Sequence, residues 1–150
     1  MRLLLLSLFV LLWTSSCEES AVSCGCGDTP LCDPGTYESG GECVPIECQE
    51  EKLSFTQETG CANDGSVEFC IPSSDATAIL ATLHSIDPAI SCAPGGGRAG
   101  CVDTEQLCFL PTSSDLCDAQ HGALTPLGWD RVCRVSELDY VDQIVPTFYE

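Results

Sequence analysis

Residues 60–75, GCANDGSVEFCIPSSD, and residues 100–115, GCVDTEQLCFLPTSSD, repeat one pattern at a spacing of 40 residues. Both run from Gly-Cys through a polar turn to a cysteine between apolar residues, and then to proline and Ser-Ser-Asp. A spacing of this length is typical of a small supersecondary repeat. We expect a duplicated cysteine-rich domain over 60–150, with units at 60–92 and 100–133. The alternative is chance similarity in a chain rich in Cys, Ser and Pro.

Each unit contains a predicted strand, and the first also contains a predicted helix. Residues 67–71 and 106–110 alternate apolar and polar or cysteine positions and are followed by proline, which suits short strands. Residues 76–86 then place apolar side chains on one side at helical spacing. These side chains are Ile79, Leu80, Leu83 and Ile86. Ser74 or Asp75 is suited to cap the start of this helix.

The second unit lacks an equivalent helical signal. Gly122, Pro126 and Gly128 interrupt it, so we expect only a turn or two near 115–119. The predicted fold class is therefore a small disulfide-rich fold, mostly loops, with short antiparallel β-strands and one short α-helix at about 75–86.

The chain has 13 cysteines in 150 residues, a density typical of a disulfide scaffold in an oxidising compartment. Each unit contributes three corresponding cysteines, an odd number, so at least one bond must leave each unit. If Cys17 carries another modification and forms no disulfide, twelve cysteines remain as disulfide candidates. They are Cys24, Cys26, Cys32, Cys43, Cys48, Cys61, Cys70, Cys92, Cys101, Cys108, Cys117 and Cys133.

Residues 24–48 form a first cysteine-rich module, in which Gly40-Gly41 predicts a tight hairpin. Its later part, CDPGTYESGGECVPIEC at 32–48, resembles the last part of EGF-like and trypsin-inhibitor-like modules. The resemblance implies a loop-rich shape and, as an alternative function, a secreted inhibitor or ligand. The polar and acidic residues 49–59 are interpreted as a linker between this module and the duplicated domain.

Two further segments have a predicted role in the organisation of the chain. Residues 93–100, APGGGRAG, read as a flexible linker between the units and as a site for proteolysis. Residues 134–150 are too apolar for a disordered tail, and we expect them to pack on the second unit. The alternative is an exposed patch that binds a partner.

Residues 1–16 are typical of a secretory signal peptide, with one positive charge, a leucine-rich run and small residues at the end. The apolar run is shorter than the roughly 20 residues that span a bilayer. Small residues directly before Cys17 resemble a bacterial lipoprotein signal. The resemblance implies that Cys17 becomes the lipidated first residue of the mature chain, with 17–23 as a short tether. An ordinary secretory cut, with Cys17 free or discarded, is the alternative.

Without residues 1–16 the chain carries four basic residues against 23 acidic ones, a formal net charge of −19. Nucleic-acid binding requires basic side chains that neutralise phosphates, so this class of partner is disfavoured. An anionic membrane would repel the body, and we expect membrane attachment through the lipid anchor alone, at the outer membrane or cell surface. We also expect a protein or glycan partner.

No motif of the sequence predicts catalysis, a cofactor or a metal ion. The two histidines are His84, expected in a solvated position on the helix, and His121, in a turn-like stretch. A Ser-His-Asp site around His121 would have no supporting nucleophile motif. The sequence therefore favours a non-enzymatic binding or structural module at the cell envelope, with a hydrolase around His121 as a further alternative.

Overall fold

The computed structural model describes residue 32 and residues 35–149. The predicted signal peptide and tether, together with Cys17, Cys24 and Cys26, lie outside the described residues. The strands are β1 (Thr36–Ser39), β2 (Glu42–Pro45), β3 (Ser66–Pro72), β4 (Ser91–Ala93), β5 (Glu105–Pro111) and β6 (Ile144–Pro146). The helices are α1 (Ala76–Ile86) and α2 (Pro126–Ser136), with short 3-10 turns at Glu50–Lys52 and Gln57–Thr59. No helix within the described part of the chain is both long and apolar enough to cross a membrane.

The structure confirms a small disulfide-rich fold with short antiparallel strands. Strands β1 and β2 form the predicted hairpin across Gly40-Gly41. The other four strands form one antiparallel sheet in the order β4-β5-β3-β6. Its central pair consists of the two corresponding strands of the repeat, with Val67 opposite Leu110 and Phe69 opposite Cys108. The two units therefore complete one sheet together instead of forming two separate folds.

The core lies on one face of this sheet. Alternate residues of β3, namely Val67, Phe69 and Ile71, are fully buried, as the period of two in a strand requires. Helix α1 occupies the predicted residues and buries Ile79, Leu83 and Ile86 in the same cluster. Leu80 is only half buried. Asp75 holds the cap position without accepting a hydrogen bond from the helix backbone, and its Oδ2 accepts from the Ser74 hydroxyl instead (3.1 Å).

The expectation of a single helix is wrong, because α2 follows in the second unit. Thr125 caps it by accepting a hydrogen bond from the Gly128 backbone N–H (3.1 Å). Pro126 occupies the first turn, where a backbone N–H would have no acceptor within the helix, so the missing N–H of proline costs nothing. Gly128 is buried against the segment that precedes α2, and a Cβ at this position would overlap the Leu116 carbonyl oxygen. Pro126 and Gly128, which argue against a helix in the sequence, are thus the residues that start it and dock it.

The C-terminal segment packs, but on the first unit. Strand β6 pairs with β3 through Phe69–Ile144 and neighbouring residues, and Val141 and Ile144 are fully buried. We expected residues 134–150 to pack on the second unit, and this expectation is wrong, because β6 pairs with a strand of the first unit. Strand β5 pairs with one edge of β3, and β6 pairs with the other.

The segment 93–100 is not a free linker in its second half. The backbone N–H groups of Arg98 and Ala99 both donate to Oε1 of Glu68, which is 2% exposed on β3. Gln143 donates to the Ala99 carbonyl oxygen (2.6 Å), and Ala99 itself is buried. The Thr147 hydroxyl donates to the other oxygen, Oε2 (3.4 Å), so the loop and Thr147 together satisfy this buried carboxylate. Because the loop supplies donors to a buried group, the prediction of a flexible segment is wrong there.

Candidate functional site

Five disulfides hold the described residues together. They join Cys32 to Cys43, Cys48 to Cys133, Cys61 to Cys117, Cys70 to Cys101 and Cys92 to Cys108. Three of the five connect the first unit with the second. The first unit has three cysteines, so at least one of them must bond outside it. Cys48 is bonded to α2 and not within the 24–48 module, so this module is fastened to the domain that follows it.

The cysteines do not form a metal site in the described residues. Cys70, Cys101 and Glu105 are the one group there whose potential ligand atoms lie within 4.8 Å of one another. The two sulfurs are bonded to each other in a disulfide, and a metal ion binds thiolates. This cluster is therefore structural in the oxidised protein.

An open cleft of about 580 Å³ lies between the loops 61–65 and 112–121, and we call it the Asn63 cleft. The lining residues are Cys61, Asn63, Asp64, Gly65, Thr112, Ser113, Ser114, Cys117, Asp118, Ala119, Gln120 and His121. Hydroxyl, amide, carboxylate and imidazole groups predominate, and no lysine or arginine is among them. The cleft brings together the turn that precedes β3 and the loop that follows β5.

One buried side chain fixes the first wall of the Asn63 cleft. Asn63 donates to the Gly60 carbonyl oxygen (2.7 Å), and its Oδ1 accepts from the Gly65 backbone N–H (2.7 Å) and from the Thr112 hydroxyl (2.8 Å). Gly65 adopts a φ of +99°, which glycine reaches without strain. The Asn63-Asp64-Gly65 turn thus serves to join the two loops.

A disulfide and local hydrogen bonds fix the second wall. Cys117 is bonded to Cys61, and Asp118 Oδ1 accepts from the Ala123 backbone N–H at 2.9 Å. His121 lies at the tip of this wall with a φ of +61°, an uncommon backbone conformation for a residue with a side chain. Such outliers persist where the surrounding structure holds them in place. Here the Cys61 backbone N–H donates to the Gly122 carbonyl oxygen (3.2 Å) and holds the tip.

The cleft does not contain an assembled catalytic triad. His121 lines it together with Ser113, Ser114 and Asp118, but its ring makes no hydrogen bond with any described residue. A triad requires the imidazole within hydrogen-bond reach of both the hydroxyl and the carboxylate. The other histidine, His84, is exposed on α1, with Nε2 at 3.0 Å from the Ile90 carbonyl oxygen.

All basic side chains of the described residues are engaged within the protein. Lys52 Nζ donates to the Ser136 and Leu138 carbonyl oxygens, and Arg131 pairs with the buried Asp87. The guanidinium groups of Arg98 and Arg134 lie over the rings of Phe148 and Tyr37, at 5.2 and 5.1 Å from the ring centroids. Arg131–Asp87 is the one ion pair in the part of the chain that the structure describes, so the surface is dominated by unpaired carboxylates.

A second, more apolar groove runs along the start of α2. Pro126 and Asp130 line it together with Gly35 of the hairpin segment, and Leu127 and Trp129 border it. Burial raises the pKa of Asp130 above its ordinary value, against the opposing effect of Arg134 and Arg131. Burial likewise raises the pKa of Tyr140.

No known protein family matches this chain, and neither a curated protein nor a solved structure is similar to it. Its function must therefore be argued from its own residues. The sequence did not predict the Asn63 cleft, because contacts between residues distant in the sequence join its two walls, among them the Cys61–Cys117 disulfide and the Asn63–Thr112 hydrogen bond. The Asn-Asp-Gly turn before β3 and the Pro-Thr-Ser-Ser stretch at the end of β5 are the local signals in the two loops.

Proposed function

We propose that this protein is an exported, membrane-anchored cysteine-rich lipoprotein whose folded part is a non-enzymatic binding or structural module. The observation that carries the proposal is the disulfide framework. All ten described cysteines are paired, and three of the bonds join the first unit of the repeat to the second. Disulfides of this density form and persist in oxidising compartments outside the cytosol.

The sequence supports the location independently of the fold. Residues 1–16 have the pattern of an export signal, and Cys17 stands where bacterial lipoproteins carry their lipid. With the ten described cysteines bonded among themselves, Cys17 is left without a partner in the folded body. Lipidation uses this thirteenth cysteine and leaves Cys24 and Cys26 as the remaining candidates for a sixth bond.

The distribution of charge supports a binding or structural role at a surface. The unpaired carboxylates keep the body soluble beside an anionic membrane and prevent self-association. The lipid would then supply the attachment that the protein surface does not.

Intact mass spectrometry of the protein isolated from membranes tests the proposal. We expect a chain that begins at Cys17, carries acyl chains and contains no free thiol. Cys17→Ser should release the protein from the membrane fraction, whereas Ser23→Ala, a control in the same tether, should leave it bound. An unmodified chain that begins downstream of Cys17 would reduce the proposal to plain secretion, and a majority of reduced thiols would overturn it.

A secreted inhibitor or ligand is the second candidate. The β1–β2 hairpin favours it, because its tip is exposed and the Cys32–Cys43 bond closes the segment around it. This candidate requires an unmodified Cys17 and a hairpin that survives prolonged digestion without being cut. Cleavage at the hairpin tip in the oxidised protein would count against it.

A further inference from the structure

We infer that the Asn63 cleft is a binding site for a neutral carbohydrate. The inference rests on the binding part of the proposed function and not on the location of the protein. It follows from the unused hydrogen-bonding groups of the cleft, the exposed tyrosine bonded through its backbone to Asp64, the absence of basic side chains in the lining and the rigidity of both walls.

The polar groups of the cleft have capacity that the protein does not use. Asp118 commits Oδ1 to the Ala123 backbone N–H, and Asp64 commits Oδ2 to the Tyr149 backbone N–H (2.6 Å), which leaves one oxygen of each carboxylate without a partner in the described residues. The side chains of Ser113, Gln120 and His121 make no hydrogen bond there either. Donors and acceptors are thus both available, as the hydroxyl groups of a sugar require.

An exposed tyrosine is bonded through its backbone to one of these groups. The Tyr149 backbone contacts Asp64 on the cleft wall, and the Tyr149 side chain is 69% exposed. A tyrosine ring offers an apolar face with a polar tip, which suits the apolar C–H face of a sugar ring flanked by hydroxyls. The ring of the preceding Phe148 is engaged by Arg98 and is less exposed.

Other classes of ligand fit the cleft less well. Phosphates and nucleotides are recognised by Arg and Lys, and none lines the cleft while those of the body are engaged elsewhere. Asp64, Asp118 and His121 do not bring three ligand atoms within 4.8 Å of one another, so a compact metal site is not formed.

The walls are fixed before a ligand arrives. The Cys61–Cys117 disulfide joins them at one side, and Asn63 joins them through its hydrogen bonds to Gly65 and Thr112. Binding to a site of fixed geometry avoids the entropic cost of ordering loops. This is the feature that lets a small, open cleft hold a weakly bound ligand such as a sugar.

Nuclear magnetic resonance titration of the oxidised Cys17→Ser protein tests the inference. The probes are trisaccharides of glucose, mannose, galactose and N-acetylglucosamine, with spermidine as a cationic comparison. We expect at least one sugar to shift the amide signals of 61–65 and 112–121 with a Kd of about 0.1–1 mM, on the scale of ordinary weak binding.

Variants locate the site. Asp118→Asn keeps Oδ1 for Ala123 and alters only the unused oxygen, and Tyr149→Ala removes the ring; each should weaken binding about tenfold. Asp75→Asn and Val102→Ala, exposed positions outside the cleft, should have no effect. The inference is overturned if no sugar shifts these signals at about 10 mM, if the shifts map elsewhere, or if spermidine alone produces them. Each of these results leaves the Cys17 anchor untouched.

Discussion

Cys48 and Cys133 are bonded to each other with their Cα atoms 4.4 Å apart, although 85 residues separate them in the sequence. The bond fastens the segment behind the β1–β2 hairpin to helix α2. Beside it, the Gln49 backbone N–H donates to the Ser136 hydroxyl oxygen (3.0 Å), which is itself buried. The region interpreted as a linker is therefore part of the folded body.

Replacing both Cys48 and Cys133 with alanine is expected to lower the free energy of unfolding by roughly 3–4 kcal/mol. The Cys61–Cys117 bond shortens the loop that Cys48–Cys133 closes to about 30 residues, which sets this magnitude in the chain-entropy model. Urea unfolding followed by the fluorescence of Trp129, the one tryptophan left after removal of residues 1–16, measures it.

The matched control removes Cys32 and Cys43. Strands β1 and β2 contribute no residue to the buried cluster, so this variant should loosen the hairpin and move the main transition far less. Equal losses in the two variants would show that the hairpin is as central to stability as α2, contrary to the packing.

Glu68→Ala should expose the peptide bond after Arg98 to trypsin. The change removes the acceptor of the Arg98 and Ala99 backbone N–H groups and leaves these donors unsatisfied, at about 1–3 kcal/mol each. Glu68→Gln keeps one oxygen in place and should resist cleavage as the unchanged protein does.

Limited proteolysis separates these outcomes. After a cut at Arg98 the disulfides between the units keep the two pieces together, so the non-reduced protein gains only the mass of one water and two fragments appear on reduction. Asp103→Ala, an exposed position nearby, is the control. Rapid cutting of the unchanged protein at Arg98 would restore the flexible linker that the sequence predicted.

Local patterns predicted the elements that depend on local physics. Strands β3 and β5 and helix α1 follow from apolar spacing bounded by proline, and they occur where expected. Helix α2 was missed because Pro126 and Gly128 count as helix breakers in a sequence. In the structure, Pro126 lies in the first turn of the helix, where proline is favourable. Gly128 is needed because it packs against the Leu116 carbonyl, a contact that exists only in the folded chain.

The candidate site was beyond sequence reasoning for a related reason. The Asn63 cleft depends on which cysteine bonds Cys61, and cysteine spacing alone does not determine connectivity. The partner of Glu68 is equally non-local: the glycines of 93–100 predict flexibility, while a buried carboxylate from another strand holds the loop. What the sequence did predict is that the three cysteines of the first unit cannot all pair among themselves, and in the structure all three bond to the second unit.

Gly128→Ala tests the close approach of α2 to the segment before it. Alanine is favoured over glycine in a helix by about 1 kcal/mol. The added Cβ would overlap the Leu116 carbonyl oxygen, which is backbone and yields little, so we expect a net loss of roughly 1–3 kcal/mol in the free energy of unfolding. Leu127→Ala, the neighbouring exposed position, should change stability by less than about 0.5 kcal/mol. A stabilised Gly128→Ala protein would contradict the docking of α2 described here.

Asp130→Asn should stabilise the protein at neutral pH and lose that effect in acid. Burial raises the pKa of Asp130, more than Arg134 and Arg131 lower it. Between the ordinary pKa of the unfolded chain and the raised pKa of the fold, the folded chain therefore holds a proton that the unfolded chain releases. The free energy of unfolding therefore falls as pH rises through this window, and the cost of burying the charged carboxylate remains at neutral pH.

Asparagine carries no charge to bury, so it removes that cost above the window. Since Asp130 is only half buried, solvent screening keeps the expected gain below about 1 kcal/mol. Urea unfolding at about pH 3 and pH 7 measures it. Asp139→Asn, an exposed carboxylate just beyond α2, removes the same charge and reports any general relief of the acidic surface. A gain at pH 7 equal to that of Asp139→Asn, or a gain that persists below the window, would show that burial of Asp130 is not its source.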